Sequence, residues 1–180
     1  MEEARPSHCP RCGAASRPLG GRLVLWGHGA RERQIFGPPG PGGAPIITTI
    51  DVRRYLCRKC DATITVVPLG VPHRWRYSGS AVAMALALWG CMHQAQAVVR
   101  EALSPWRIQG QSEPQRWRSL RRWVLAVLEG RLFAPLRLAP GASVRALAER
   151  VAWSAVGHAG PDLGAAPVPA RAWAGGAALA

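Results

Sequence analysis

Four cysteines stand in two pairs with the same internal spacing, Cys9-Pro10-Arg11-Cys12 and Cys57-Arg58-Lys59-Cys60. A C-x-x-C turn sets two sulfurs side by side, and two such turns facing one another supply the four thiolates of a tetrahedral structural zinc site. A single C-x-x-C is also the spacing of a redox pair, but a second copy in the same chain shifts the chemistry toward metal. Gly13 follows the first pair, where the chain needs a residue that tolerates a positive φ; Asp61 and Ala62 hold the matching place after the second. The alternatives are two disulfides or free thiols. Disulfides suit a secreted chain, and this one begins Met-Glu-Glu without an apolar signal core. The fifth cysteine, Cys91, lies in an apolar helical run and reads as a small buried side chain. His8 and His28 are substitute ligands by chemistry alone, but four cysteines already close a site, so both read as ordinary polar residues. The expected cofactor is zinc, held by Cys9, Cys12, Cys57 and Cys60.

The charge balance points to a partner. The 180 residues carry 23 basic and 10 acidic side chains, a formal net charge of +13. Lys59 is the only lysine, and a chain rich in Ala, Gly, Pro and Arg also reflects a GC-rich genome, so the number of arginines carries little weight. The scarcity of acids carries more. Four zinc-bound thiolates remove four charges and the ion restores two, which leaves about +11. A field of that sign favours a polyanion, chiefly nucleic acid. A membrane is the competing polyanion, but the longest apolar run, Ala81 to Met92, has 12 residues, too few to span a bilayer. The expectation is a cytoplasmic protein in a reducing compartment.

The elements that must position these residues change character along the chain. Residues 1–67 read as a β-rich zinc ribbon. Arg22 to Trp26 is a short strand, Gly27-His28-Gly29 a turn, and Arg33 to Phe36 the returning strand. Gly37 to Gly43, dense in Gly and Pro, is a loop within the ribbon. Ile46 to Leu56 is β-branched and leads into the second pair, and Thr63 to Val67 is the strand that leaves it. Residues 68–77 form a linker in which Arg74, Trp75 and Arg76 interleave base and aromatic. That is the composition of a nucleic-acid contact and equally of a packed connector.

Residues 78–130 read as helical. Ser78 or Ser80 caps a helix that runs to about Trp89, a second covers about Gln94 to Leu103, and Ser112-Glu113-Pro114-Gln115 opens a third that ends near Glu129. On the third helix, Trp117, Leu120, Val124, Val127 and Leu128 share one face, with Trp123 at its border. Gln115, Arg118, Ser119 and Arg122 share the opposite face, and Arg116 and Arg121 lie between the two. A recognition helix needs this division, one side packed and the other offering donors to phosphates and base edges. The plainer alternative is a solvated arginine face on a core helix. Residues 131–156 add a helix capped by Ser143, and residues 157–180, rich in Ala, Gly and Pro, read as a disordered tail in which Trp173 is a stray aromatic. The fold class expected is α+β: a four-cysteine zinc ribbon, a helix-turn-helix-like unit, a further helix and a disordered tail.

This order of parts resembles the N-terminal DNA-binding region of bacterial insertion-sequence transposases, which joins a four-cysteine zinc ribbon to a helix-turn-helix. The matching stretches are Cys9-Pro10-Arg11-Cys12-Gly13, Arg54-Tyr55-Leu56-Cys57-Arg58-Lys59-Cys60 and Trp117-Arg118-Ser119-Leu120-Arg121-Arg122-Trp123, and the resemblance covers roughly residues 9–130. It implies binding of duplex DNA at transposon ends or a related site, with a separate transposase catalytic subunit as a further partner. A whole transposase resembles RNase H and needs three carboxylates for two magnesium ions. The acids after residue 100 are Glu101, Glu113, Glu129, Glu149 and Asp162, with no strand-rich segment to array them. No nucleophile triad or phosphate loop is present either, so the chain is expected to be no enzyme. The competing readings are an RNA-binding zinc ribbon, a zinc-ribbon adaptor for protein partners, and a nuclease or transposase.

Overall fold

The computed structural model describes residues 5–106, 117–139 and 143–180. Three strands come first, β1 (Leu25–Gly37), β2 (Ile46–Cys57) and β3 (Thr63–Val66), in one antiparallel sheet of order β1-β2-β3. Five α-helices follow: α1 (Gly79–Gly90), α2 (Gln96–Leu103), α3 (Arg118–Leu128), α4 (Val144–Val156) and α5 (Val168–Leu179). The protein is thus mixed α+β, with strands and helices segregated along the chain. No helix among the described residues is long and apolar enough to cross a membrane. The chain divides into a ribbon unit, Met1–Gln34 with Thr49–Pro68, and a helical unit, Ile35–Thr48 with Leu69–Ala180.

In the ribbon unit, β2 and β3 pair with Tyr55 opposite Ile64 and Leu56 opposite Thr63. The alternation of the pleat sends Tyr55 and Ile64 to a buried cluster with Leu25, Cys9 and Cys57. The turn expected at Gly27-His28-Gly29 is absent, because β1 runs through it, and among the described residues no strand begins before Leu25. Gly29 takes a φ of 75° within the strand, the use of glycine for a local kink rather than a reversal. The chain reverses instead after Gly37, where the prolines at 38, 39, 41 and 45 remove ladder donors.

In the helical unit, α1 is the centre. Its sequence GSAVAMALALWG is buried on nearly every side, as expected of a helix without a polar face. Ser78 caps it by accepting the Ala81 N–H at 3.1 Å. Ser143 does the same for α4 through Ala146. Leu147, Ala148, Val151 and Ala155 face the core, and Val144 packs against it partly buried. The second helix begins at Gln96 rather than Gln94, with no side-chain cap. For the third, the capping sequence at Ser112 to Gln115 lies outside the described residues, and the helix described is Arg118–Leu128, closed by Gly130 at a φ of 67°.

The expected disordered tail is not what residues 157–180 form. A short 3-10 turn (Pro161–Leu163) leads into α5, whose Ala172, Gly175, Gly176 and Leu179 are buried. Low charge and small side chains suggest disorder by composition, yet these four positions recur at helical spacing. Where large residues would build a thick interface, glycines build a thin one. A Cβ on Gly79 would overlap the Gly176 carbonyl, and a Cβ on Gly175 would overlap that of Ala155. Trp173 is likewise not a stray aromatic, since it packs partly buried against the helical core.

Candidate metal centre

The two knuckles are built alike, position for position. In the first, the Cys9 N–H donates to the Ala14 carbonyl at 2.8 Å and the Gly13 N–H to the Cys9 carbonyl at 2.8 Å. In the second, the Cys57 N–H donates to Ala62 at 3.0 Å and the Asp61 N–H to Cys57 at 2.8 Å. The residue after each pair takes the left-handed conformation, Gly13 at a φ of 71° and Asp61 at 55°. Aspartate is among the few side chains that tolerate that region, which is why the second knuckle works without a glycine. The first knuckle closes a small β-bridge between His8 and Ala15, and the second is the turn between β2 and β3.

Facing one another, the knuckles bring four sulfurs together. Cys9 Sγ lies 3.7 Å from Cys60 Sγ, and Cys12 Sγ lies 3.7 Å from Cys57 Sγ. All four lie within 4.8 Å of one another. None is in a disulfide. Cys9 and Cys57 are buried, while Cys12 and Cys60 are half-buried. Four soft ligands converging from two rigid turns make a closed site for a metal ion, with no position left for substrate. His8 and His28 are not in the cluster, which consists of the four cysteines alone.

The thiols already differ in acidity without an ion. Burial pushes the Cys9 thiol up, but N–H groups of Cys12 and Arg11 and neighbouring thiols outweigh it and bring it down to about 6. At Cys60 the Ala62 N–H pulls down, but burial and the three other thiols prevail and push it up to about 12. Four groups this close cannot all ionise unless a cation compensates them, which is what a metal supplies.

Outside the ribbon, the structure sorts the residues singled out for nucleic acid. Gln115 and Arg116 lie outside the described residues. Arg118, Arg121 and Arg122 are exposed on α3, and Leu120, Trp123, Val124 and Val127 are buried beneath them. One assignment on this helix is corrected: Leu128, expected on the packed face, is 37% exposed. The reason is the direction of the core, which reaches α3 on the side of Trp123 rather than of Leu128. Ser119 is half-buried, and it lines a cavity of about 300 Å³ with Arg122, Trp123, Arg74, Trp75, Arg76 and Tyr77. The basic–aromatic segment and the arginine helix thus meet. Sequence reasoning missed Tyr77 and Trp123 as lining residues. The signal available was that Tyr77 directly follows the basic–aromatic run, and that Trp117 and Trp123 bracket one helical face.

No family model matches this chain, and no curated protein or solved structure matches it either.

Proposed function

We propose that the protein is a zinc-dependent, non-catalytic DNA-binding protein, related to the N-terminal regions of insertion-sequence transposases and acting on duplex DNA at transposon ends or similar sites. The observation that carries it is the exposed face of α3. Arg118, Arg121 and Arg122 stand out from a helix whose other side is buried, with no acidic residue in its first turn. Uncompensated arginines on a rigid, packed helix are what phosphate and base-edge contacts need, and the net charge of +13 adds long-range attraction.

Zinc is the ion proposed for the four-cysteine site. Metal–sulfur bonds of about 2.3 Å in a tetrahedron place sulfurs about 3.8 Å apart, and two of the sulfur pairs stand at 3.7 Å. All-thiolate ligation favours zinc over hard cations such as magnesium and calcium. Cys9, Cys12, Cys57 and Cys60 would hold it, and its part is to fix the ribbon's fold.

A binding series tests this. Arg118 is assigned to base edges, so replacing it with Ala lowers affinity for a selected duplex by about 1–3 kcal/mol and relaxes sequence preference. Arg121→Ala weakens all duplexes alike and flattens the salt dependence by about one charge. Arg116, two residues before α3 in the sequence, is assigned the same phosphate role. Variants that bind selected and scrambled DNA as tightly as the parent would end the reading. Leu125 and Leu128, 36% and 37% exposed on the same helix, favour a second reading as a protein adaptor, for which partner binding is insensitive to salt.

A further inference from the structure

We infer that the cavity between the Pro72–Tyr77 segment and α3 is a binding site for one unstacked nucleotide of a single-stranded DNA tail. The inference rests on the DNA-binding reading above and adds a ligand class to it.

The cavity's chemistry is one-sided. Arg74, Arg76 and Arg122 line it, and among the described residues no carboxylate does. The nearest titratable acid on its wall, the Tyr77 phenol, is held neutral: burial pushes it up, against a weaker pull from a Ser104 hydrogen bond. Three guanidinium groups around one hollow repel one another unless an anion joins them. A phosphate is the anion whose oxygens match their donors.

Its aromatic lining divides into a floor and a wall. Tyr77 and Trp123 meet edge to face at 5.1 Å, and Trp117 stands 5.1 Å from Trp123. Tyr77 and Trp123 form the floor, and Trp117, outside the lining, holds Trp123 in place from behind. The wall is Trp75, half-buried, with the Arg122 guanidinium over its ring at 6.0 Å. Two stacked contacts of about 3.5 Å each need about 7 Å. A side-chain shift of about one ångström would therefore let a base lie between indole and guanidinium, a sandwich that every base can make. A cavity of about 300 Å³ is at the lower end of small-molecule sites, enough for a nucleotide and too small for a duplex end.

The backbone points the same way. Trp75 N–H donates to the Pro72 carbonyl at 3.3 Å, closing a turn in which Arg74 has a φ of 71°. Glycine is the residue such a turn prefers. An arginine held there is strained, and strain of this kind gathers at ligand sites.

The experiment compares a short blunt duplex, the same duplex with a single-stranded tail, and the isolated single strand, each labelled and titrated with the full-length metal-loaded protein. The tailed duplex is expected to bind roughly five- to a hundred-fold tighter than the blunt one. Trp75→Ala abolishes that preference and Trp75→Phe keeps part of it. Arg74→Gly weakens tail binding while the unfolding midpoint holds or rises, which separates a ligand role from a folding role. Arg118→Ala weakens blunt and tailed duplexes alike and leaves the preference intact. Equal binding of blunt and tailed duplexes, or a preference that survives Trp75→Ala, overturns the inference. If the single strand binds through Trp75 but the duplex does not bind, the cavity assignment stands and the duplex reading falls. If none of the three binds, both fall.

Discussion

The ribbon unit and the helical unit solve the problem of staying folded in different ways. Among the described residues, the ribbon's buried cluster holds five side chains, two of them the ligands Cys9 and Cys57, whereas the helical cluster holds 26. The burial of Leu25, Val52, Tyr55 and Ile64 is little apolar area to offset the ordering of two long strands, so a metal held by the four cysteines would carry much of the ribbon's fold. The helical unit depends on closeness, with α1 surrounded and with glycines where backbones meet. One unit is held at a point and the other along surfaces, and each fails to a different insult.

The largest effect is expected at the point. Purified protein is expected to hold one zinc per chain by elemental analysis. Chelation or Cys57→Ser then unfolds the ribbon, because binding free energies of about 10–16 kcal/mol in small zinc modules are also their folding free energies. Circular dichroism should keep its helical signal while proteolysis newly cuts β1 and β2. Loss of helical signal in step with the metal would dissolve the contrast.

A smaller effect is expected from crowding the thin interface. Gly175→Ala gains about 1 kcal/mol of helix propensity yet meets the Ala155 carbonyl. The net result is a loss of about 1–3 kcal/mol by denaturant unfolding, with metal content unchanged. A stabilised variant would mean that α5 is not seated on α4 as described.

The smallest concerns the fifth cysteine. Burial, aided by Glu149, pushes the Cys91 thiol up to about 11. The thiol form is the one the fold favours, so its contribution is full below pH 9, the ordinary value, and is lost as pH rises through about 11. Alkylation of the native protein near pH 8 therefore leaves Cys91 unlabelled, and Cys91→Ala leaves metal content unchanged. Rapid labelling at that pH would show a looser α1 end.

How much of this was legible in the sequence depended on whether the deciding interaction was local. The ligands were, because Cys-x-x-Cys spacing is itself the geometry of a knuckle. The buried stripe of α3 was legible from its 3.6-residue period, apart from Leu128 at its edge, where the direction of the core decides. The β1 turn was misread because Gly27 and Gly29 serve a kink as readily as a reversal. The last helix was misread because Ala and Gly signal disorder until a partner such as α1 accepts them at backbone distance. The cavity was not legible at all. Arg74 and Arg122 are far apart in the chain, and nothing local says that they share a hollow.

A metal held by the four cysteines would also join distant stretches of chain, since the paired sulfurs are 51 and 45 residues apart in sequence. Clamping both ends removes loop-closure entropy from the unfolded chain, and that entropy grows only with the logarithm of loop length, about 0.6 kcal/mol per doubling. Residues added to the Gly–Pro connection between β1 and β2, or removed from it, would hardly alter the clamp. The far end of that hairpin answers to other bonds, since the Ile35–Thr48 segment belongs to the helical unit and Phe36 N–H donates to the Arg76 carbonyl at 2.6 Å.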